Sequence, residues 1–170
     1  MPDNYIKASI RSLTIDKKSN YWFILGDYGL CKLTPNSNLS YFTYEKNNLT
    51  DNKLYALELI GNTMWIGSNN GLMAFDIKKE KVIDTFFETD GLSNNLIYSV
   101  IHEDGQLWMS TNRGINKLKL EDNSIERFLT ENVFMDDAFF QDSEGKIYFG
   151  GYNGFISFDP QTTKKITIPI

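Results

Sequence analysis

An all-β protein built of four copies of one four-stranded unit is the fold class this sequence predicts, on three observations. A motif of fixed spacing returns four times along the chain. Apolar residues alternate with polar ones between turns rich in Gly and Asn. No segment keeps a 3.6-residue apolar period over three turns.

The motif is plainest in WIGSNNGLMAF, opened by Trp65, and in WMSTNRGINKL, opened by Trp108. It returns as YFGGYNGFISF from Tyr148 and as FILGDYGLCKL from Phe23. The opening aromatic recurs at intervals of 42, 43 and 40 residues, and Gly29, Gly71, Gly114 and Gly154 follow the same intervals. A large apolar residue follows each glycine (Leu30, Leu72, Ile115, Phe155), with another three further on (Leu33, Phe75, Leu118, Phe158). A period of about 40–45 residues is that of a propeller blade.

The third unit shows the blade most clearly. LIYSVIHE (96–103) is a strongly apolar segment, Asp104-Gly105 turns, and QLWMST (106–111) makes a second strand. Asn112-Arg113-Gly114 turns again, INKLKL (115–120) alternates, EDNS turns, and IERFLT (125–130) alternates. Asp-Gly and Asn-x-Gly between alternating strands are hairpin signals, because Gly and Asn tolerate positive φ. Four antiparallel strands make a blade. The units divide at 1–46, 47–89, 90–131 and 132–170 within one domain. The first strand of each, IRSLTID, LYALELI, LIYSVIH and MDDAFFQ, is expected to be the most buried.

On these residues the chain resembles the regulator-propeller repeats of hybrid two-component sensors of Bacteroidetes. Leu92-Ser93-Asn94-Asn95, Asp104-Gly105 and Leu107-Trp108-Met109-Ser110-Thr111 follow that family's blade, as does Met64-Trp65-Ile66-Gly67-Ser68. The first unit departs from it, with Trp22 and Phe23 straddling the Trp position. In the fourth, Phe149-Gly150-Gly151-Tyr152-Asn153-Gly154-Phe155, Asp159-Pro160 and Ile168-Pro169-Ile170 resemble the last blade of the family's second propeller. The resemblance implies about four blades of a seven-bladed propeller, in the periplasmic part of a sensor histidine kinase. Its partners would then be the remaining blades and an Ig-like domain. Bare flanks on four blades alone imply an open arc or self-association, ahead of closure into a small ring.

Composition excludes several classes. The net charge is −5, and no window is dense in Lys or Arg, so nucleic acid and anionic membrane are poor partners. No run approaches the ~18 apolar residues of a membrane helix, and MPDNYIKASIRSL does not read as a signal peptide. Cys31 is the only cysteine, and no Cys, His or acidic cluster has zinc spacing. His102 is the single histidine, at a strand end beside Glu103-Asp104, where a solvated turn is the default. No cofactor, metal site or catalytic residue is expected. Asp136-Asp137 with Asp142 and Glu144 is the densest acidic patch, open to reading as a carboxylate pair or a Ca²⁺ site, though strand-end acids are commonplace.

In a blade whose chain runs from inner to outer strand, the loops leading into each unit share a face with the second-to-third-strand turns. Candidate ligand-binding residues there are Arg113, Tyr152, Tyr28, Asn70, Asn94 and Asn95. Amides, a guanidinium and aromatic rings suit an oligosaccharide, while an Asn before Gly is also what a tight turn requires. Arg113 and Tyr152 fill turn slots with no conformational reason for their size. The sequence thus supports a non-catalytic, glycan-sensing fragment. A propeller scaffold that binds a protein is the alternative, and a glycan-cleaving propeller a third.

Overall fold

The computed structural model describes residues 9–128 and 134–162. Its strands form sheets in which sequence neighbours pair antiparallel. The first sheet holds β1 (Ile10–Ile15), β2 (Tyr21–Leu25), β3 (Leu30–Leu33) and β4 (Leu39–Phe42). The second holds β5 (Leu54–Ile60), β6 (Thr63–Ser68), β7 (Gly71–Asp76) and β8 (Lys81–Phe86). The third holds β9 (Ile97–Glu103), β10 (Gln106–Thr111), β11 (Gly114–Lys119) and β12 (Ile125–Phe128). The fourth shows β13 (Phe134–Gln141), β14 (Ile147–Gly151) and β15 (Gly154–Phe158). The fourth strand expected of that unit, and Ile168-Pro169-Ile170, lie outside the described residues. The all-β blades predicted from the repeat are present. Two loops between blades add the helical turns α1 (Tyr44–Asn47) and Glu88–Asp90. Thr43 caps α1, its Oγ1 accepting from Lys46 N at 3.3 Å, and Asn48 ends it in the left-handed region.

Alternation sorts each blade's side chains onto two flanks, and consecutive blades share a core. Trp22, Ile24, Leu30 and Phe42 meet Met64, Ile66, Met73 and Phe75 of the second blade. Trp22, Phe42 and Phe75 form a ring triangle with centroids 5.2–5.9 Å apart. Trp65 and Phe86 meet Val100, Leu107 and Met109 of the third blade. Trp108 and Phe128 meet Phe149, Ile156 and Phe158 of the fourth. Each large apolar side chain so buried contributes roughly 1.5–3 kcal/mol.

Three expectations need correction. The repeated aromatic of the first blade is Trp22, not Phe23. Its second turn has three residues, Gly26-Asp27-Tyr28, where the second blade has two, so Phe23 pairs with Cys31 and turns to the opposite flank. The inner strands are not the most buried of their blades: β5 and β9 are mostly buried but less so than β6 and β10, Ile10, Leu13 and Ile15 of β1 are over half exposed, and β13 is largely exposed too. A described neighbour on each side buries β5 and β9, whereas β1 and β13 each pack against one blade. Lastly, the four blades stand around a common axis, where Arg11 Nη1 lies 3.8 Å from Asp136 Oδ2. That is nearer the small ring than the open arc. Among the described residues no apolar cluster spans the first and fourth blades, so they meet through charge at the axis.

Candidate functional site

The second-to-third-strand turns and the loops between blades do share a face. Gly71 N donates to Asn95 O at 2.7 Å, and Asn69 N to Lys53 O at 2.9 Å. On this face every inner strand breaks register. In β5, Leu54 pairs with Ser68 and Ala56 with Gly67, which leaves Tyr55 as an extra residue. In β9, Ile97 pairs with Thr111 and Ser99 with Ser110, which leaves Tyr98. β1 slips between Ile10 and Leu13, around Arg11, and β13 between Phe134 and Phe139, where Asp137 takes φ 58°. A bulge re-aims the side chain it carries.

Four bulges therefore bring Arg11, Tyr55, Tyr98 and Asp136 together at the axis. The Arg11 guanidinium lies 5.3 Å from the Tyr55 ring centre, and Tyr55 meets Tyr98 edge to face at 5.6 Å. Lys53 Nζ sits 5.9 Å from the same Tyr55 ring. Arg11 reaches Asp27 at 3.5 Å and Asp136 at 3.8 Å, distances too long for strong hydrogen bonds. Its Nη1 is buried and makes no hydrogen bond among the described residues. Burial first, then the charge of Asp136, raises the Asp137 carboxyl above its ordinary value, against the pull of Arg11. Burial likewise raises the Tyr98 hydroxyl, helped by Tyr55, Asp136 and Tyr152. A guanidinium, carboxylates and phenols around a ring platform can exchange hydrogen bonds with hydroxyls and stack on an apolar sugar face.

The six residues read from the sequence fall differently around this cluster. Tyr152 is 75% exposed and electrostatically coupled to Tyr98, and Tyr28 follows Asp27, the partner of Arg11. Asn70 lines two shallow clefts with Tyr44 and Thr50, of about 490 and 330 Å³, and its Nδ2 donates to Thr50 O. Asn94 and Asn95 brace their loop: Asn94 Nδ2 donates to Glu88 Oε1, and Asn95 Oδ1 accepts from Glu88 N. Arg113 is exposed in its turn and forms no ion pair among the described residues. The turn reading of Asn70 needs revision, because the positive φ falls on Gly71, at 96°, and Asn69 and Asn70 have none. A Cβ on Gly71 would stand 2.6 Å from Phe86 O, so the glycine is required and its neighbours are free to vary.

The proposed acidic patch dissolves. Asp136 belongs to the axis, while Asp142 sits at the far end of β13, in a turn. There its Oδ1 accepts from Glu144 N and Lys146 N, and its Oδ2 from the Tyr148 hydroxyl. Asp16 does the same in the first blade, accepting from Lys18 N, Asn20 N, Asn20 Nδ2 and Trp22 Nε1. His102 lies at that same far end, paired with Leu107. Burial pushes the Cys31 thiol up to about 12, which leaves it un-ionised at neutral pH. Among the described residues no group of three or more His, Cys, Asp or Glu is poised to hold a metal, and no helix is long and apolar enough to cross a membrane. Sequence reasoning missed Arg11, Tyr55 and Tyr98, since a bulge is a matter of backbone register with no signature at these positions.

No protein-family model matches the chain, and no curated protein does. Solved structures do. The extracellular domain assigned to the one-component system BT4673 of Bacteroides thetaiotaomicron superposes with a TM-score of 0.76 at 18% identity, over 89% of this chain and 23% of its own. That of the hybrid two-component system BT3049 from the same organism gives 0.69 at 16%, over 90% and 28%. Virginiamycin B lyase from Staphylococcus aureus gives 0.72 at 17%, over 100% and 58%. The chain spans about a quarter of the length of the two extracellular domains. At these identities the likeness defines the fold: the chain is a β-propeller, as its resemblance to regulator-propeller repeats implied.

Proposed function

We propose that the chain is part of the sensor domain of a two-component system, exposed in the periplasm or outside the cell, and that it binds an oligosaccharide without cleaving it. The observation that carries this is the axial cluster of Arg11, Tyr55, Tyr98 and Asp136 on the loop-bearing face. A guanidinium whose buried Nη1 makes no hydrogen bond among the described residues, between carboxylates and beside an edge-to-face pair of phenols, suits a hydroxyl-rich ligand. Tyr28 and Tyr152 would extend the platform, with Asn70, Arg113, Asn94 and Asn95 at the rim. The extracellular domains among its structural neighbours support the sensor role. Binding would bias the arrangement of this propeller against the rest of the parent protein, an Ig-like domain included, and so a histidine kinase beyond the membrane.

Calorimetric titration of the chain with a panel of neutral and acidic oligosaccharides tests the reading. Saturable binding of one glycan class without turnover is the expected result. Binding only to a protein partner would replace it with the scaffold reading.

A second reading rests on the lyase. A histidine-to-alanine variant of that enzyme is catalytically inactive. The only histidine here, His102, stands at the end of β9 away from the axis. Release of glycan fragments, or lyase turnover, would favour this reading over a sensor.

A further inference from the structure

We propose that a lysine-lined cavity between the first two blades, on the face opposite the axial cluster's loops, binds a tetrahedral oxyanion carried as a phosphate or sulfate ester. The cavity, of about 390 Å³, is lined by Asp16, Lys17 and Lys18 of the β1–β2 turn, by Lys32, and by Lys78 and Glu80 of the β7–β8 turn.

The charges there do not cancel. Asp16 is spent on four donors of its own blade, Trp22 Nε1 among them. Glu80 takes one cation, accepting from Lys32 Nζ at 2.7 Å. Lys17, Lys18 and Lys78 are exposed and pair with no carboxylate among the described residues. Lys32 forms a half-buried floor, its ammonium held 5.3 Å from the Trp22 ring centre as well as against Glu80. Four ammonium groups against two carboxylates make a local excess of positive charge in a chain of net charge −5.

Blade architecture does not demand this. Lys117 of the third blade repeats the position of Lys32, 5.4 Å from the Trp108 ring centre, but pairs with Glu126 of its own blade. The cavity between the third and fourth blades is lined by Glu103 and Asp104 with Gln106, Pro160 and Gln161. The repeat thus supplies the hollow, and the first two blades line theirs with lysine where the third and fourth present carboxylates. Ammonium groups act as point charges toward a compact tetrahedral oxyanion, whether a phosphate monoester or the singly charged sulfate ester, and the volume admits the sugar or other group bearing the ester.

The test is calorimetric titration of the whole chain at fixed ionic strength with inorganic phosphate, inorganic sulfate, glucose 6-phosphate and glucose 6-sulfate, against sodium chloride as control. Saturable binding of one or more of the anions is expected, and the two esters report which group is preferred. The double variant Lys17→Gln/Lys78→Gln should weaken binding at least tenfold with an unchanged melting curve, since both side chains are exposed. Glu80→Gln should tighten it severalfold, because it frees the Lys32 ammonium. No saturable binding of any of the four anions, or equal binding by the double variant, would overturn the proposal.

Discussion

Tyr55 and Tyr98 meet edge to face at 5.6 Å, each as the extra residue of a bulge in the inner strand of its own blade. Two blades thus deliver one aromatic pair to the axis by the same backbone device. Tyr55 is buried, 6% exposed, and serves as the base beneath Arg11 and Lys53, while half-buried Tyr98 has surface to offer. Tyr98→Ala should weaken oligosaccharide binding tenfold or more, a loss of about 1.4 kcal/mol. Tyr98→Phe keeps the ring and should lose only two- to threefold, as calorimetry on both variants would show.

Asp16 anchors the first blade's lower turn. Its burial works against ionisation, but hydrogen bonds from the Asn20 side chain, the Trp22 side chain and the backbone of Asn20 and Lys18 outweigh it and hold the carboxyl at about 2. Its pKa is depressed by folding, so the stabilisation is full above about pH 4 and is lost as pH falls towards 2, roughly 2 kcal/mol in all. Asp16→Asn should lower the unfolding free energy from denaturant titration at pH 7 by that amount and leave it little changed at pH 2.

The indole of Trp22 donates to Asp16, whereas the Trp108 Nε1 is buried with no hydrogen-bond partner among the described residues. The third blade's two-residue Asp104-Gly105 turn offers no aspartate at that place. Trp22→Phe removes a donor from a buried carboxylate and should cost about 1–2 kcal/mol more than Trp108→Phe, which strands nothing. Equal losses in thermal melts would contradict the pairing.

Glu58 of β5 carries the opposite dependence. Burial raises its carboxyl to about 7, and it has no hydrogen bond or ion pair among the described residues. The folded chain then holds a proton the unfolded chain has released, so stability falls as pH rises from about 4.5 to 7, by up to about 3 kcal/mol. Glu58→Gln should stabilise the protein at pH 8 and make no difference at pH 4. A wild-type melting temperature flat across that range would refute it.

Gly67 of β6 is a point of close approach. A Cβ there would stand 2.9 Å from Ile97 Cγ2 and 3.0 Å from Ile97 O, across the boundary between the second and third blades. Gly67→Ala should cost about 1–3 kcal/mol through overpacking. Because Ile97 precedes Tyr98, the same variant should weaken ligand binding beyond what its stability loss explains.

The repeat was legible because packing between blades demands the same aromatic and glycine at the same place each time: Trp65, Trp108, Gly71 and Gly114 all sit where their spacing put them. The first blade escaped because one extra turn residue moved the aromatic from Phe23 to Trp22, which spacing counted from Gly29 could not register. The burial of inner strands misled because burial depends on flanking blades, which separates β5 from β1. The axial cluster was hidden for a different reason. Arg11, Tyr55, Tyr98 and Asp136 are unlike in type, and pairing register, not identity, makes them equivalent. A bulky residue in a turn that needs none singled out Arg113 and Tyr152 alike, and of the two Tyr152 interacts electrostatically with Tyr98 of the cluster.

The most direct test is to follow the backbone amide and tyrosine resonances of the whole chain by NMR during titration with the tightest-binding oligosaccharide of the panel. Saturable shifts centred on Arg11, Tyr55, Tyr98 and Asp136, with smaller ones at Tyr28 and Tyr152, are the expected result. Saturable shifts that leave those four residues unmoved, or no oligosaccharide binding at all, would contradict an axial ligand site.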